Sequence, residues 1–305
     1  AEQAIFSIAR RRAGAGFVAV SDLLHPILEK LETIHKGKGL VTGISTGFTE
    51  FDTLTAGLQP SNLIIVAGRP GMGKTSFCLN VAEYVALQKR LPVAIFSLEM
   101  SLDEILIRLL CSNAQVDIYD LRRGYTAHKK TWVALTTSAA KFSESPIYLS
   151  ESPSFNVLDI CAQARRLMAE KGLSLVIIDY LQLLGGFSSR PETRQQEISE
   201  ISRFLKNMAR DLQIPVIAVS QLSRRPEEKE RAGRPRLSDL RESGALEQDA
   251  DVVTFIYREE IYKPDNLELQ GKAKIILAKQ RNGRTGEFEL AFIKEYARFE
   301  NLAKT

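Results

Sequence analysis

Residues 63–75 constrain this chain most: Leu-Ile-Ile-Val-Ala-Gly-Arg-Pro-Gly-Met-Gly-Lys-Thr, an apolar run that leads straight into a glycine-rich loop. The run Leu63 to Ala67 predicts a buried strand, and Ser76 to Leu87 predicts a helix with Phe77, Val81 and Val85 on one side. Between them lie Gly68, Arg69, Pro70, Gly71, Met72, Gly73, Lys74, Thr75 and Ser76, in the spacing Gly-x-x-x-x-Gly-Lys-Thr. Glycines let backbone N–H groups turn inward around a phosphate with no Cβ in the way. The helix N-terminus adds its positive dipole end, Lys74 reaches the terminal phosphates, and the Thr75 hydroxyl is placed to ligate Mg²⁺. Strand before and helix after separate this motif from a chance glycine turn. The segment predicts a nucleoside triphosphate site in an α/β fold.

A chain of 305 residues accommodates one large α/β domain with a small appendage, or two small domains. Its 44% hydrophobic and 26% charged residues are ordinary globular composition. No apolar run approaches the roughly eighteen residues of a membrane span. The start Ala1-Glu2-Gln3, without Met or a signal-like apolar core, reads as that of a fragment or processed product. Cys78, Cys111 and Cys161 are widely spaced and follow no metal-ligand pattern, so each is expected to fill a core or helix position in a reducing cytoplasm. The net charge of +4 says little by itself. Arg and Lys crowd residues 224–241 and recur at 279–284. Such clusters read as solvated surface, or as a polyanion path where a motif supports it.

Residues 1–39 read as a linker region and 40–305 as the main domain. Ala1 to Arg12 is a short helical stretch broken by Gly14 and Gly16. Ser21 or Asp22 is placed to cap a second helix running to about His35, with Leu23, Leu24, Ile27, Leu28, Leu31 and Ile34 in one stripe. Lys36-Gly37-Lys38-Gly39 then forms a flexible connector. A short helix cannot bury such a stripe alone, so it must dock on its own domain or on a neighbour.

From Ile44 onward strands alternate with helices, which predicts a mainly parallel sheet with right-handed crossovers. Strands are expected at 62–67, 93–98, 174–179 and 214–219, then at 252–257, 273–278 and 287–293. Asn282-Gly283 signals a hairpin, and antiparallel strands at the end of the sheet fit the spacing. Ile198, Ile201, Leu205, Met208 and Leu212 mark the clearest helix. Residues 220–250 are polar, arginine-rich and aperiodic, and read as a long functional loop.

Asp179 ends the run Leu175 to Ile178; beside the strand of the phosphate loop, a carboxylate there holds Mg²⁺ through its water shell. Glu99 lies just past another strand end, on the same edge, where a carboxylate orients and deprotonates an attacking water. Its competing reading is a helix-N-terminal Glu, since Ser101-x-x-Glu104 resembles a capping box. Gln221 reads equally as a γ-phosphate sensor and as a polar turn residue. Lys279-Gln280-Arg281 ends a strand, and by itself such a pair is a solvated hairpin flank rather than a phosphoryl clamp.

Six strings then agree in order: "GRPGMGKT", "FSLEM", "IIDYLQLL", "VSQLSR", "SDLRESGALEQDAD" and "KQRNGRTG". Through them the chain closely resembles the C-terminal motor region of bacterial replicative DNA helicases, the DnaB family, over nearly its whole length. The resemblance implies a RecA-like P-loop ATPase core that assembles as a homo-hexamer, encircles single-stranded DNA and translocates 5′ to 3′. It implies ATP and Mg²⁺, with Lys74 and Thr75 on phosphates and metal, Asp179 as the metal carboxylate and Glu99 as the base for water. Gln221 becomes the γ-phosphate sensor, while Lys279 and Arg281 act in trans on the adjacent subunit's nucleotide. In "LRESG", Arg241, Glu242 and Gly244 are implied to meet DNA phosphates in a central channel; an anion such as Glu242 does so only through its own N–H. Arg224, Arg225, Arg231, Arg234 and Arg236 read as solvated loop with some general attraction. The 22–35 helix is implied to pack on the next subunit, closing a ring. A cytoplasmic location, a role in DNA replication and a loader follow from the same likeness. No helical collar precedes residue 1, so primase binding is not expected. The alternatives are a strand-exchange filament of the recombinase type and a small-molecule kinase.

Overall fold

The computed structural model describes residues 17–36, 41–123, 129–152, 155–185, 194–222 and 233–303. The chain divides into two compact units, Ala1–Thr42 and Gly43–Thr305. In the first, helix α1 (Val20–Lys36) begins before the expected cap, so Asp22 sits inside the first turn, where the helix dipole favours it. Leu23, Leu24, Ile27 and Leu28 lie at helical spacing and are about half exposed, at 47%, 52%, 51% and 56%. The stretch Ala1 to Arg12, the 37–39 connector and the side chains of Leu31 and Ile34 fall outside the described residues.

The second unit is built on a sheet with nine strands among the described residues, ordered β3-β2-β4-β5-β1-β6-β7-β8-β9. These are β1 (Leu63–Gly68), β2 (Val93–Ser97), β3 (Ile147–Glu151), β4 (Leu175–Asp179), β5 (Val216–Gln221), β6 (Val252–Tyr257), β7 (Lys272–Gln280), β8 (Gly286–Ile293) and β9 (Arg298–Asn301). Strands β1 to β6 pair in parallel; β7, β8 and β9 add on antiparallel. The helices are α2 (Thr49–Thr55), α3 (Lys74–Leu87), α4 (Leu102–Ala114), α5 (Ile118–Arg122), α6 (Lys129–Ser143), α7 (Val157–Lys171), α8 (Arg194–Leu212) and α9 (Gly244–Asp249).

Alternation along β1 explains why the sheet is covered on both faces. Leu63, Ile65 and Ala67 join a core with Val157, Ile160 and Leu205 of α7 and α8. Ile64 and Val66 point the other way, into a core with Phe77, Val81 and Val85 of α3. Each fully buried Leu or Ile contributes about 1.5–3 kcal/mol. Cys78, Cys111 and Cys161 are buried free thiols, as expected. No described helix is long and apolar enough to cross a membrane.

Three expectations need correction. Asp179 does not end a strand beside β1, because β5 is inserted between β4 and β1. The 220–250 stretch is not one loop: a 3-10 run over Leu237–Ser243 continues into α9, with Leu246 fully buried. The expected hairpin at Asn282-Gly283 joins β7 to β8, with Gly286 opposite Leu277. Strands β3 and β9 were not expected; β3 is a half-buried edge strand and β9 has four residues with Phe299 as its buried anchor.

Candidate active site

All parallel strands expose their carboxyl ends on one sheet edge, where ligands settle in open α/β folds. The loop after β1, Glu99 after β2, Asp179 at the end of β4 and Gln221 at the end of β5 therefore converge. Pro70, Gly71, Gly73, Lys74, Thr75, Ser76, Glu99, Asp179 and Gln221 line one cavity of about 540 Å³. Of the other loop residues, Gly68 ends β1 with Ile256 O only 2.9 Å from where a Cβ would stand, and Met72 is buried beneath. Arg69 turns away and donates from Nη1 to Leu222 O at 3.0 Å.

The loop has the backbone that a phosphate cradle requires. Gly71 and Gly73 have φ of +77° and +93°, the left-handed region that suits glycine. Arg258, just past β6, braces the loop from behind: its N–H donates to Met72 Sδ at 3.4 Å and Nη1 to Gly71 O at 3.2 Å. Sequence reasoning missed this brace.

Charge is concentrated at the cavity floor. Thr75 Oγ1 donates to Asp179 Oδ2 at 2.5 Å, and Lys74 Nζ donates to Arg69 O at 3.2 Å. Burial pulls the Lys74 ammonium below its ordinary value, against the pull of Asp179 and Glu99. Burial pushes the Asp179 carboxyl up, partly offset by the Thr75 hydroxyl and Lys74. Glu99 is exposed to the cavity, held at the turn in which Ser97 Oγ donates to Met100 O at 2.6 Å. The capping reading is half realised: Ser101 Oγ accepts from the Glu104 N–H at 3.3 Å. A hydroxyl and one carboxylate suit Mg²⁺, which keeps several waters and takes few protein oxygens. Among the described residues no cluster of three His, Cys, Asp or Glu side chains gathers to hold an ion unaided.

Arg108 and Arg122 also line the cavity and were not foreseen. Arg108 Nε is buried without a hydrogen-bond partner, and its guanidinium stabilises ionised Asp179. Its signal was present in the sequence: Arg108 interrupts the apolar face of Ile105 and Leu109 on the helix following Glu99.

Lys279 and Arg281 are not in this cavity. Gln280 pairs with Val252 at the start of β6, so both cations sit at the amino ends of the parallel strands. Lys279 Nζ donates to the carbonyls of Glu247, Gln248 and Ala250 at 2.5, 3.2 and 2.7 Å. Arg281 Nη2 donates to Gln248 O at 2.9 Å, with Nη1 3.5 Å from Asp251 Oδ1. Asp251 in turn accepts from the Leu63 N–H at 2.8 Å. The length of β1, about 17 Å, therefore separates Arg281 from the phosphate loop of its own chain.

Arg241 and Glu242 lie in the 3-10 run, with side chains outside the described set, and Gly244 opens α9. Arg224, Arg225 and Arg231 fall outside the described residues. Arg234 pairs with Glu287 at the surface, and the Arg236 N–H donates to Asp239 Oδ2 at 2.7 Å.

A family model for the DnaB-like helicase C terminal domain matches residues 43–301. The chain belongs to this family. It is 47% identical over 304 residues to the replicative DNA helicase DnaB of Geobacillus stearothermophilus, covering 100% of this chain and 66% of that protein. It is 46% identical to the replicative DNA helicase DnaC of Bacillus subtilis (strain 168), with the same coverage. The chain thus spans just under two thirds of the length of these relatives. Among solved structures, one of an isolated ATPase domain superposes with a TM-score of 0.88 at 37% identity, covering 94% of this chain and 100% of that one. A DnaB-like replicative helicase, studied with its interactions with primase, gives 0.86 at 38% identity over 93% of this chain and 71% of the other. The expected RecA-like core, a mostly parallel sheet with an antiparallel C-terminal end, is borne out.

Proposed function

We propose that this DnaB-family chain is the motor of a replicative DNA helicase: an ATPase that assembles as a hexameric ring, translocates 5′ to 3′ on single-stranded DNA and unwinds duplex. ATP is the substrate of the cavity at the carboxyl edge. Lys74 and the loop N–H groups hold its phosphates, Thr75 and Asp179 would hold Mg²⁺, and Glu99 orients and deprotonates the attacking water. The metal supplies charge neutralisation at the transferring phosphoryl group. Gln221, at the mouth of the 223–232 segment, senses the γ-phosphate.

One observation carries the reading: Arg281 lies on the sheet edge opposite its own phosphate loop. A guanidinium so placed serves catalysis only in another copy's cavity, which favours an oligomer with sites shared between subunits. The half-exposed stripe of α1 supplies a second contact, docking on the neighbouring motor. Hydrolysis loosens the tie between Lys74 of one subunit and Arg281 of the next, and the subunits rotate. Arg241, with the N–H groups of Glu242 and Gly244, grips DNA phosphates and moves with its subunit. A loader that opens the ring and a cytoplasmic location belong to the same proposal. The helicase relatives favour it over a strand-exchange filament. ATP turnover with and without single-stranded DNA, run alongside a mass measurement of the assembled species, tests it. DNA-stimulated turnover by a species six times the chain mass is expected; DNA-independent turnover by a monomer would contradict it.

A further inference from the structure

Strand β5 outlasts its neighbour. It pairs with β4 only through Val176, Ile177 and Ile178, opposite Val216, Ile217 and Ala218. Asp179 then ends β4 and the chain turns into the 3-10 segment Leu181–Leu183. On the other side β1 continues to Gly68, opposite Gln221. The last residues of β5 are therefore paired by strand on one side only, and backbone groups facing the lost neighbour need other partners.

One side chain takes that place. Gln182 Oε1 accepts from the Gln221 N–H at 3.1 Å, while Gln182 Nε2 donates to Gln221 O and to Ser220 Oγ, each at 2.9 Å. The N–H and C=O of one strand residue face the same side, so an amide offering both an acceptor and a donor stands in for the missing strand. Among side chains, only the Asn and Gln amides set a carbonyl acceptor beside an N–H donor, and the partners fix which end of the amide is which. Gln182 is itself held: Arg194 Nη2 donates to Gln182 O at 2.7 Å.

We propose that Gln182 is a positioning residue for Gln221, gripping its backbone so that its side chain is aimed into the nucleotide cavity. Gln182 does not line that cavity, whereas Gln221 does. It stands three residues beyond Asp179, which Thr75 already holds. The carboxylate at the metal position and the sensing amide are thus set by one turn, held through Thr75 at one end and through Ser220 and Gln221 at the other. The inference rests on the reading of Gln221 as the γ-phosphate sensor.

DNA-stimulated ATP turnover of the full chain, compared among wild type, Gln182→Ala, Gln182→Glu, Gln221→Ala and Gln182→Ala/Gln221→Ala, tests it. Gln182→Ala should lower kcat about tenfold with KM for ATP near wild type, because the nucleotide-binding residues are untouched, while buried Ser220 loses a partner and the thermal midpoint falls by about 2–4 °C. Gln182→Glu keeps an acceptor for the Gln221 N–H but sets a carboxylate oxygen against Gln221 O, and should be as slow. The double variant should be no slower than Gln221→Ala alone, since a misaimed amide and an absent one are equivalent. Multiplying losses in the double variant, or a Gln182→Ala loss that appears in KM, would overturn the proposal while leaving the sensor reading intact. A Gln221→Ala variant as fast as wild type would instead remove the sensor reading and this inference with it.

Discussion

Gly73 sets the limits of substitution in the phosphate loop. Its φ of +93° is strained for any L side chain, and a Cβ would stand 2.9 Å from Phe299 Cζ, a ring locked in the core. Gly73→Ala should cost about 1–3 kcal/mol of stability by urea denaturation, besides weakening nucleotide binding. Gly71 makes a useful contrast, because a Cβ there meets nothing within 4 Å and only the backbone strain remains. Asp179 behaves in the opposite sense. Burial raises its pKa on folding, so its contribution to stability is greatest below the unfolded carboxylate range and is lost as pH rises through the folded value. At neutral pH the protein therefore holds this ionised group at a cost. Asp179→Asn should abolish turnover yet melt about 1–3 °C higher at neutral pH, and the gap should close as pH falls into the acid range. A lower melting point for the variant at pH 7 would mean that Thr75 and Lys74 outweigh burial.

At the level of elements, β9 shows how a short strand is held. Arg298 Nη1 lies 3.1 Å from Glu83 Oε1 on α3 and also donates to Ser112 O and Oγ on α4 at 3.2 Å. The Phe299 N–H donates to Asn80 Oδ1 at 2.8 Å, and Phe77 meets Phe299 edge to face. Glu83 is only 6% exposed, so removing its partner strands a buried charge. Arg298→Met should cost about 3–5 kcal/mol, and adding Glu83→Gln should recover part of that loss; thermal melts of the two variants check it. None of this was legible in the sequence, because one apolar residue in four carries no period. Strand β3 was missed for a related reason: an edge strand is half solvated, so its apolar signal is diluted. What was legible is the carboxyl edge. Apolar runs ending in Gly68, Ser97, Asp179 and Gln221 announce buried parallel strands, and parallelism alone places their ends together. Insertion of β5 between β4 and β1 was not legible, since strand order follows from the crossovers and not from any one strand's pattern. Arg108 was overlooked because an arginine on a helix is ordinarily surface, and its break in the apolar face of Ile105 and Leu109 gains meaning only beside Asp179 in the packed helix.

At the scale of the whole molecule, the proposed function divides one chemistry between the two sheet edges. The carboxyl edge holds the phosphate loop, Asp179 and Glu99; the amino edge holds Lys279 and Arg281, anchored on the carbonyls that close α9. That helix continues from the 3-10 run bearing Arg241, so the carbonyls that anchor Lys279 and Arg281 and the proposed DNA contact sit on one short segment. Arg241→Ala should weaken single-stranded DNA binding and reduce the slope of log affinity against log salt by about 1, as for one lost phosphate contact. An unchanged slope in a titration from low to moderate salt would remove Arg241 from the channel. The central claim, that each site is completed by a neighbour, is most directly tested by mixing Lys74→Ala with Arg281→Ala, each inactive alone. Shared sites predict that ATP turnover returns in the mixture, since some interfaces then pair an intact cradle with an intact guanidinium. Mixtures that co-assemble yet stay inactive would contradict it.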